Sequence, residues 1–143
     1  MEIRLREVHH NDAEQVTALC KQLGYEISVS AVKRNIEILI NESDNKIFVA
    51  EYEHAVIGWI GVACVLTIQS IPFCEVRGLV VDEQFRKNNV GKLLIEKAAR
   101  WCKEKGCSIL RVRCNIKREP IHSFYRHLGF SEKKEQKVFE IHV

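Results

Sequence analysis

Three observations predict a mixed α/β fold for this chain: apolar residues recur with a period of two in some segments, they recur at helical spacing in others, and a strand–helix–strand run spans residues 73–114. Together they give the order β-α-α-β-β-β-α-β-α-β. The run 73–114 predicts a right-handed parallel crossover. Ligands of such units bind at the carboxyl ends of the strands.

The first strand is EIRLREV, which alternates. NDAEQVTALCKQLG follows as a helix with Asn11 or Asp12 as N-cap, a stripe of Val16, Leu19, Cys20 and Leu23, and Gly24 as its stop. SVSAVKRNIEILINE repeats the pattern, with Ser28 or Ser30 capping and Val32, Ile36, Leu39 and Ile40 facing inward. KIFVAEYE and AVIGWIGVACVLT are strands joined by a turn at Glu53-His54, and FCEVRGLVVD is the next strand. The helix 90–105 has one face of Val90, Leu93, Leu94, Ala98, Trp101 and Cys102, with Gly106 placed to end it in the left-handed conformation. CSILRVRC is a strand, EPIHSFYRHLG a short helix with Pro120 in its first turn, and KKEQKVFEIHV a closing alternating strand.

Composition narrows the function classes. With 143 residues, only two prolines and no low-complexity or repeated segment, the chain reads as one domain over 1–143. A net charge of +3 suits an anionic ligand and falls short of a nucleic-acid-binding balance. The longest apolar run, AVIGWIGVACVL, is too short to span a bilayer, and the N-terminus lacks a signal-peptide apolar region, so no membrane partner is expected. The six cysteines form no CxxC pair and no His/Cys cluster with zinc spacing. They are expected to be free, mostly buried thiols in a reducing cytoplasm, with no metal.

The chemistry concentrates between the strand ending at Val81 and the helix beginning near Val90. Here Arg86, Lys87, Asn88 and Asn89 precede Gly91 and Lys92. A helix N-terminus has unpaired N–H groups and partial positive charge, so a loop adding further N–H groups there makes a cradle for phosphate. Gly91 lets a ligand approach the backbone, and Asn89 adopts the left-handed conformation at low cost. Neither GxxxxGK[ST] nor GxGxxG occurs. A polar connection with a solvated charge cluster is the alternative.

LVVDEQFRKNNVGKLLIE resembles motif A of the GCN5-related N-acetyltransferases (GNAT), [RQ]-x-x-G-x-[GA], with Arg86-Lys87-Asn88-Asn89-Val90-Gly91 on the pattern and Asn89 in place of its first glycine. NIKREPIHSFYRHLGF is similar to the family's motif B, with Asn115, Phe124, Tyr125, Gly129 and Phe130 on its marked positions and Ile121 where alanine is common. The resemblance, covering nearly the whole chain, implies a mostly antiparallel sheet with a central parallel crossover and flanking helices. It also implies transfer of an acetyl group from acetyl-CoA to a primary amine by direct attack in a ternary complex.

On that resemblance Leu79, Val80 and Val81 run beside the pantetheine arm, and a bulge near Gly78 splays this strand from 107–114. An N–H of Val80 or a neighbour polarises the thioester carbonyl. Residues 86–91 with Lys92 hold the pyrophosphate, and Asn115 bonds the pantetheine. Tyr125 is the general acid for the departing thiolate, a transfer uphill by about 2 kcal/mol at ordinary tyrosine and thiol pKa values. Glu75 is the candidate base, although the alternation does not settle which face of the sheet it occupies. His122 is expected to be a packed or surface histidine. The acceptor is a small-molecule amine or a peptide, nucleic acid is not a partner, and a homodimer is compatible with the family. A non-catalytic acyl-CoA sensor of the same fold is the competing function.

Overall fold

The computed structural model describes residues 1–143. In chain order it holds β1 (Arg4–Glu7), a 3₁₀ turn (His10–Asp12), α1 (Ala13–Gln22), α2 (Val29–Leu39), β2 (Asn45–Tyr52), β3 (Ala55–Val65), β4 (Phe73–Val81), a 3₁₀ turn (Glu83–Phe85), α3 (Val90–Glu104), β5 (Leu110–Val112) and α4 (Glu119–His127). Two units separate by their internal contacts, Met1–Val112 and Arg113–Val143. No helix is long and apolar enough to cross a membrane.

In the first unit five strands lie in the order β1-β2-β3-β4-β5. Neighbours are antiparallel except β4 and β5, which are parallel and linked through α3. Glu53 and His54 both take positive φ, 48° and 67°, as a two-residue turn between right-twisted strands requires. Strand alternation divides the core. Val49 and Val80 cluster with Val16, Leu19, Val32 and Ile36 from α1 and α2. On the other face Phe48 lies opposite Ile60, and the Lys97 ammonium of α3 sits 5.3 Å from the Phe48 ring. Val90 and Leu94, both completely buried, bring α3 onto that face. Burying side chains of this size contributes about 1.5–3 kcal/mol each.

The predicted cap at Asp12 is diverted. Asp12 stands before α1 but makes no side-chain bond to that helix. Its carboxylate instead accepts the His9 N–H at 2.7 Å and both Arg6 Nη groups, at 2.8 and 2.9 Å. Arg6 Nε reaches Glu51 Oε2 at 2.6 Å, so one guanidinium fastens β1 to β2 and to the start of α1. Burial pulls the Asp12 pKa upward, but the Arg6 and His9 hydrogen bonds outweigh it and hold the group below the ordinary carboxylate range. Arg6 holds Glu51 low as well. Both carboxylates therefore contribute stability that is complete above the ordinary carboxylate range and is lost as pH falls through their lowered pKa values. Arg6→Ala is expected to cost about 3 kcal/mol by leaving Asp12 buried without its cation. Urea unfolding at neutral pH and then under increasing acid checks both the magnitude and the direction.

Other differences from the sequence expectations have local causes. Ser28 caps α2 through its bond from Ala31 N–H, and Val32 and Ile36 are buried, but Ile40 is past the last helical turn and exposed. In α3 Ile95 is buried while Leu93 is only half-buried. β5 is three residues long where eight were expected. Its beginning is occupied by the end of α3, where Gly106 takes φ +83° and Cys107 N–H bonds Cys102 O. Its far end stops where β4 turns away, as described below.

In the second unit α4 has Pro120 in its first turn and closes at Gly129, φ +99°, with the Phe130 N–H returning to Tyr125 O at 3.0 Å. The closing strand expected at 133–143 is not formed: these residues have no regular structure, and Val138, Phe139, Ile141 and Val143 are exposed. Alternation supplies only the side-chain pattern of a strand; the ladder itself needs a paired neighbour. The parallel crossover consequently lies at one edge of a five-strand sheet.

Candidate active site

The site begins with a defect in β4. Gly61 of β3 faces Gly78 but the next residue, Val62, faces Val76, so Arg77 is an extra residue, a β-bulge. β5 pairs with Cys74, Glu75 and Val76 and with nothing beyond. The side of Gly78–Val81 away from β3 thus carries no paired strand. Asp82 N–H bonds Ile57 O at 2.8 Å, which fixes the phase of the antiparallel ladder. By alternation the peptide groups of Val80 face β3, whereas those of Leu79 and Val81 face the open side. This register shifts the candidate carbonyl donor from Val80 to its neighbours. Gly78 is required here: a Cβ would come within 2.5 Å of the Trp59 ring.

Beyond Val81 the chain is steered by short bonds. Asp82 Oδ1 accepts Gln84 N–H, Phe85 O accepts Asn88 N–H, and Asn89 turns the chain left-handed, φ 62° and ψ 18°, into α3. The sequence assigned Asn89 that conformation. No side chain caps α3 and its first turn holds no acidic residue. The first return bond comes from Leu93 N–H to Asn89 O, so the N–H groups of Val90, Gly91 and Lys92 have no partner within the helix. Arg86, Lys87, Asn88 and Asn89 are exposed around this point. Lys92 is 4.0 Å from Glu96 on the outer surface, a contact of small energy.

Glu75 is 3 % exposed and lies opposite Ala63, on the α1/α2 face of the sheet rather than the α3 face. Its Oε1 accepts from Arg77 Nη1 at 2.7 Å. This is a buried, paired carboxylate, not a solvated one. The partner comes from the bulge residue, so the backbone defect that opens β4 also supplies the cation for Glu75.

The second unit carries the other predicted groups. Tyr125 is buried, in edge contact with the rings of Phe124 and Phe130 at 5.3 and 5.5 Å. Burial, with Cys114 adding and Arg118 opposing, pushes its pKa up to about 12. Asn115 Oδ1 accepts Lys117 N–H at 2.9 Å, which shapes the turn before α4. His122 Nε2 lies 2.8 Å from Asn115 O and so donates to it, a packed histidine as expected. Sequence reasoning missed Trp59 over Gly78 and Arg77 beside Glu75. The isolated glycine within a strand was the available signal for both.

Residues 11–130 match the acetyltransferase (GNAT) family. An uncharacterized N-acetyltransferase of Chlorobaculum tepidum is 29% identical over 129 residues, covering 90% of this chain and 75% of that protein. Another, from Methanocaldococcus jannaschii, is 28% identical over 98 residues, covering 67% of this chain and 43% of that protein, so the chain spans less than half the length of that relative. Among solved structures, AAC(6')-Iy in complex with the bisubstrate analog CoA-S-monomethyl-acetylneamine superimposes with a TM-score of 0.88 at 22% identity, covering 100% of both chains. Glucosamine-6-phosphate N-acetyltransferase from Arabidopsis thaliana gives a TM-score of 0.85 at 21% identity, covering 99% of this chain and 100% of that one. The extent of the match and the arrangement of the sheet leave one conclusion: the chain belongs to the acetyltransferase (GNAT) family.

Proposed function

We propose that this N-acetyltransferase takes its acetyl group from acetyl-CoA and passes it to a primary amine of a small molecule or peptide, by direct attack within a ternary complex. One observation carries the reading: the uncapped N-terminus of α3, entered through left-handed Asn89, follows directly on the open edge of β4 created by the Arg77 bulge. The first feature suits a pyrophosphate and the second an amide-bearing arm that pairs like a strand. Arg86 and Lys87 add charge at the rim, and the N–H groups of Val90, Gly91 and Lys92 receive the phosphate oxygens. Leu79 and Val81 pair with the arm, the Leu79 N–H polarises the thioester carbonyl, and Asn115 bonds the arm further along. The amine attacks that carbonyl carbon, Glu75 takes the amine's proton directly or through water, and Tyr125 donates toward the departing sulfur. That AAC(6')-Iy binds a coenzyme–aminoglycoside analog supports a small-molecule amine as acceptor. Six free cysteines suit a reducing cytoplasm.

Calorimetry with coenzyme A and thiol release from acetyl-CoA over a panel of aminoglycosides, amino sugars, polyamines and peptide N-termini test this. One coenzyme per chain and release with at least one amine are expected. Binding with no release on any amine makes the protein an acyl-CoA sensor instead, and the lack of any binding heat overturns both readings.

A further inference from the structure

Four of the six cysteines, far apart in sequence, meet on the α3 face of the sheet. Cys64 of β3 and Cys74 of β4 are direct cross-strand partners. Cys64 N–H bonds Asp44 O and Cys74 N–H bonds Ile109 O, so each turns its peptide group away from the other. This is the non-hydrogen-bonded type of antiparallel pair, in which side chains approach most closely. Their sulfurs are 3.5 Å apart. Cys107, just past the Gly106 turn that follows α3, brings a third sulfur, and all three lie within 4.8 Å of one another. Cys102 stands behind them with its S–H directed at Ile109 O, 3.3 Å away, and is thereby engaged with backbone.

We propose that Cys64, Cys74 and Cys107 form a three-thiolate site for a thiophilic divalent cation of the zinc type, with a fourth position open. Three points with sides of at most 4.8 Å have a centre within about 2.8 Å of each (the side divided by the square root of three), against a zinc–thiolate bond of about 2.3 Å; tetrahedral ligands at that bond length stand about 3.8 Å apart, so the Cys107 sulfur closes in while the Cys64–Cys74 pair opens slightly. Soft thiolates select such ions over calcium or magnesium. Cys64 and Cys107 are half-buried and Cys74 is buried, so the ion approaches from the side of the first two. Binding releases three protons and leaves one net negative charge on the complex. Lys105 and Asp44 both lie near Cys64 with opposite charges: the Lys105 ammonium is 2.9 Å from Ser43 O and 3.7 Å from Asp44 Oδ1, and Asp44 O accepts the Cys64 N–H. Linear spacing hides the site, because its ligands come from two strands and the turn after a helix rather than from a CxxC knuckle.

The test is titration of the reduced, metal-free full-length chain with cobalt(II) under argon, followed by zinc(II). Expected are one cobalt per chain, thiolate-to-metal charge-transfer absorption, release of close to three protons, and stoichiometric displacement by zinc. Cys64→Ser and Cys107→Ser, both at half-buried positions, should each weaken binding by at least about 100-fold, the upper range for loss of a mere supporting group around a metal. Cys114→Ser, at the exposed cysteine outside the cluster, should leave binding unchanged; circular dichroism confirms that each variant is folded, and either cluster variant alone suffices. The proposal is overturned if no charge-transfer band develops, if Cys64→Ser and Cys107→Ser bind as the wild type does, or if Cys64 and Cys74 close into a disulfide in air and the reduced chain takes up no metal.

Discussion

Gly91→Glu should weaken coenzyme A binding by about 10³-fold while leaving the fold intact or slightly more stable. Residue 91 lies in the first turn of α3, where a carboxylate interacts favourably with the exposed N–H groups and the helix dipole. Propensity also favours the change, since glycine inside a helix costs about 1 kcal/mol relative to alanine. The same carboxylate would stand where the proposed mechanism puts the pyrophosphate. Two like charges 4 Å apart at an effective dielectric near 20 repel by about 4 kcal/mol, which is about three decades in affinity. Stability and binding are therefore predicted to move in opposite directions, which simple damage to the fold cannot produce. Calorimetry with coenzyme A alongside thermal melting measures both. Unchanged affinity in a folded Gly91→Glu protein would remove the cradle from the mechanism.

Tyr125→Phe should lower kcat by about 10²-fold, the low end of the range for general-acid catalysis, with KM for acetyl-CoA nearly unchanged. The low end follows from burial. With the hydroxyl pushed up to about 12, full proton transfer to a thiolate of ordinary pKa near 8.5 is uphill by about 5 kcal/mol. On the proposed mechanism Tyr125 would then help mainly by hydrogen bonding to sulfur as charge builds, not by delivering its proton early. The sign of the pH dependence is fixed by the same shift. A raised pKa keeps the acid form complete through the ordinary tyrosine range near 10, and that form is lost as pH rises toward about 12. No loss of kcat from this group should occur below about pH 10. Steady-state profiles of both proteins decide the matter: a Tyr125→Phe effect below tenfold, or one confined to KM, argues for a packing role alone.

The backbone geometry at the start of α3, where we propose the phosphate cradle, was legible because its determinants are local. A strand end, a residue tolerant of the left-handed region and a helical period lie within a dozen positions, and Asn89 takes the conformation its side chain allows. The bulge was legible through Gly78, but not its extra residue, because Arg77 is displaced by the register of β3, a strand more than a dozen positions earlier. The face occupied by Glu75 needed the same long-range register. The thiol cluster was illegible for a related reason: positions 64, 74, 102 and 107 acquire proximity only when the crossover is complete. The tail misled in the opposite way, since KVFEIHV has the side-chain alternation of a strand and pairs with none.

Gly58 sits behind the start of α3, where a Cβ would lie 3.1 Å from Val80 O and 3.2 Å from both Val90 Cγ1 and Leu94 Cδ1. A single methyl would therefore push the leading turn of α3 outward by a few tenths of an ångström relative to the strand edge, altering the spacing that phosphate and thioester would span in the proposed complex. Substitutions on this hidden side would then retune the proposed grip on a nucleotide without meeting it.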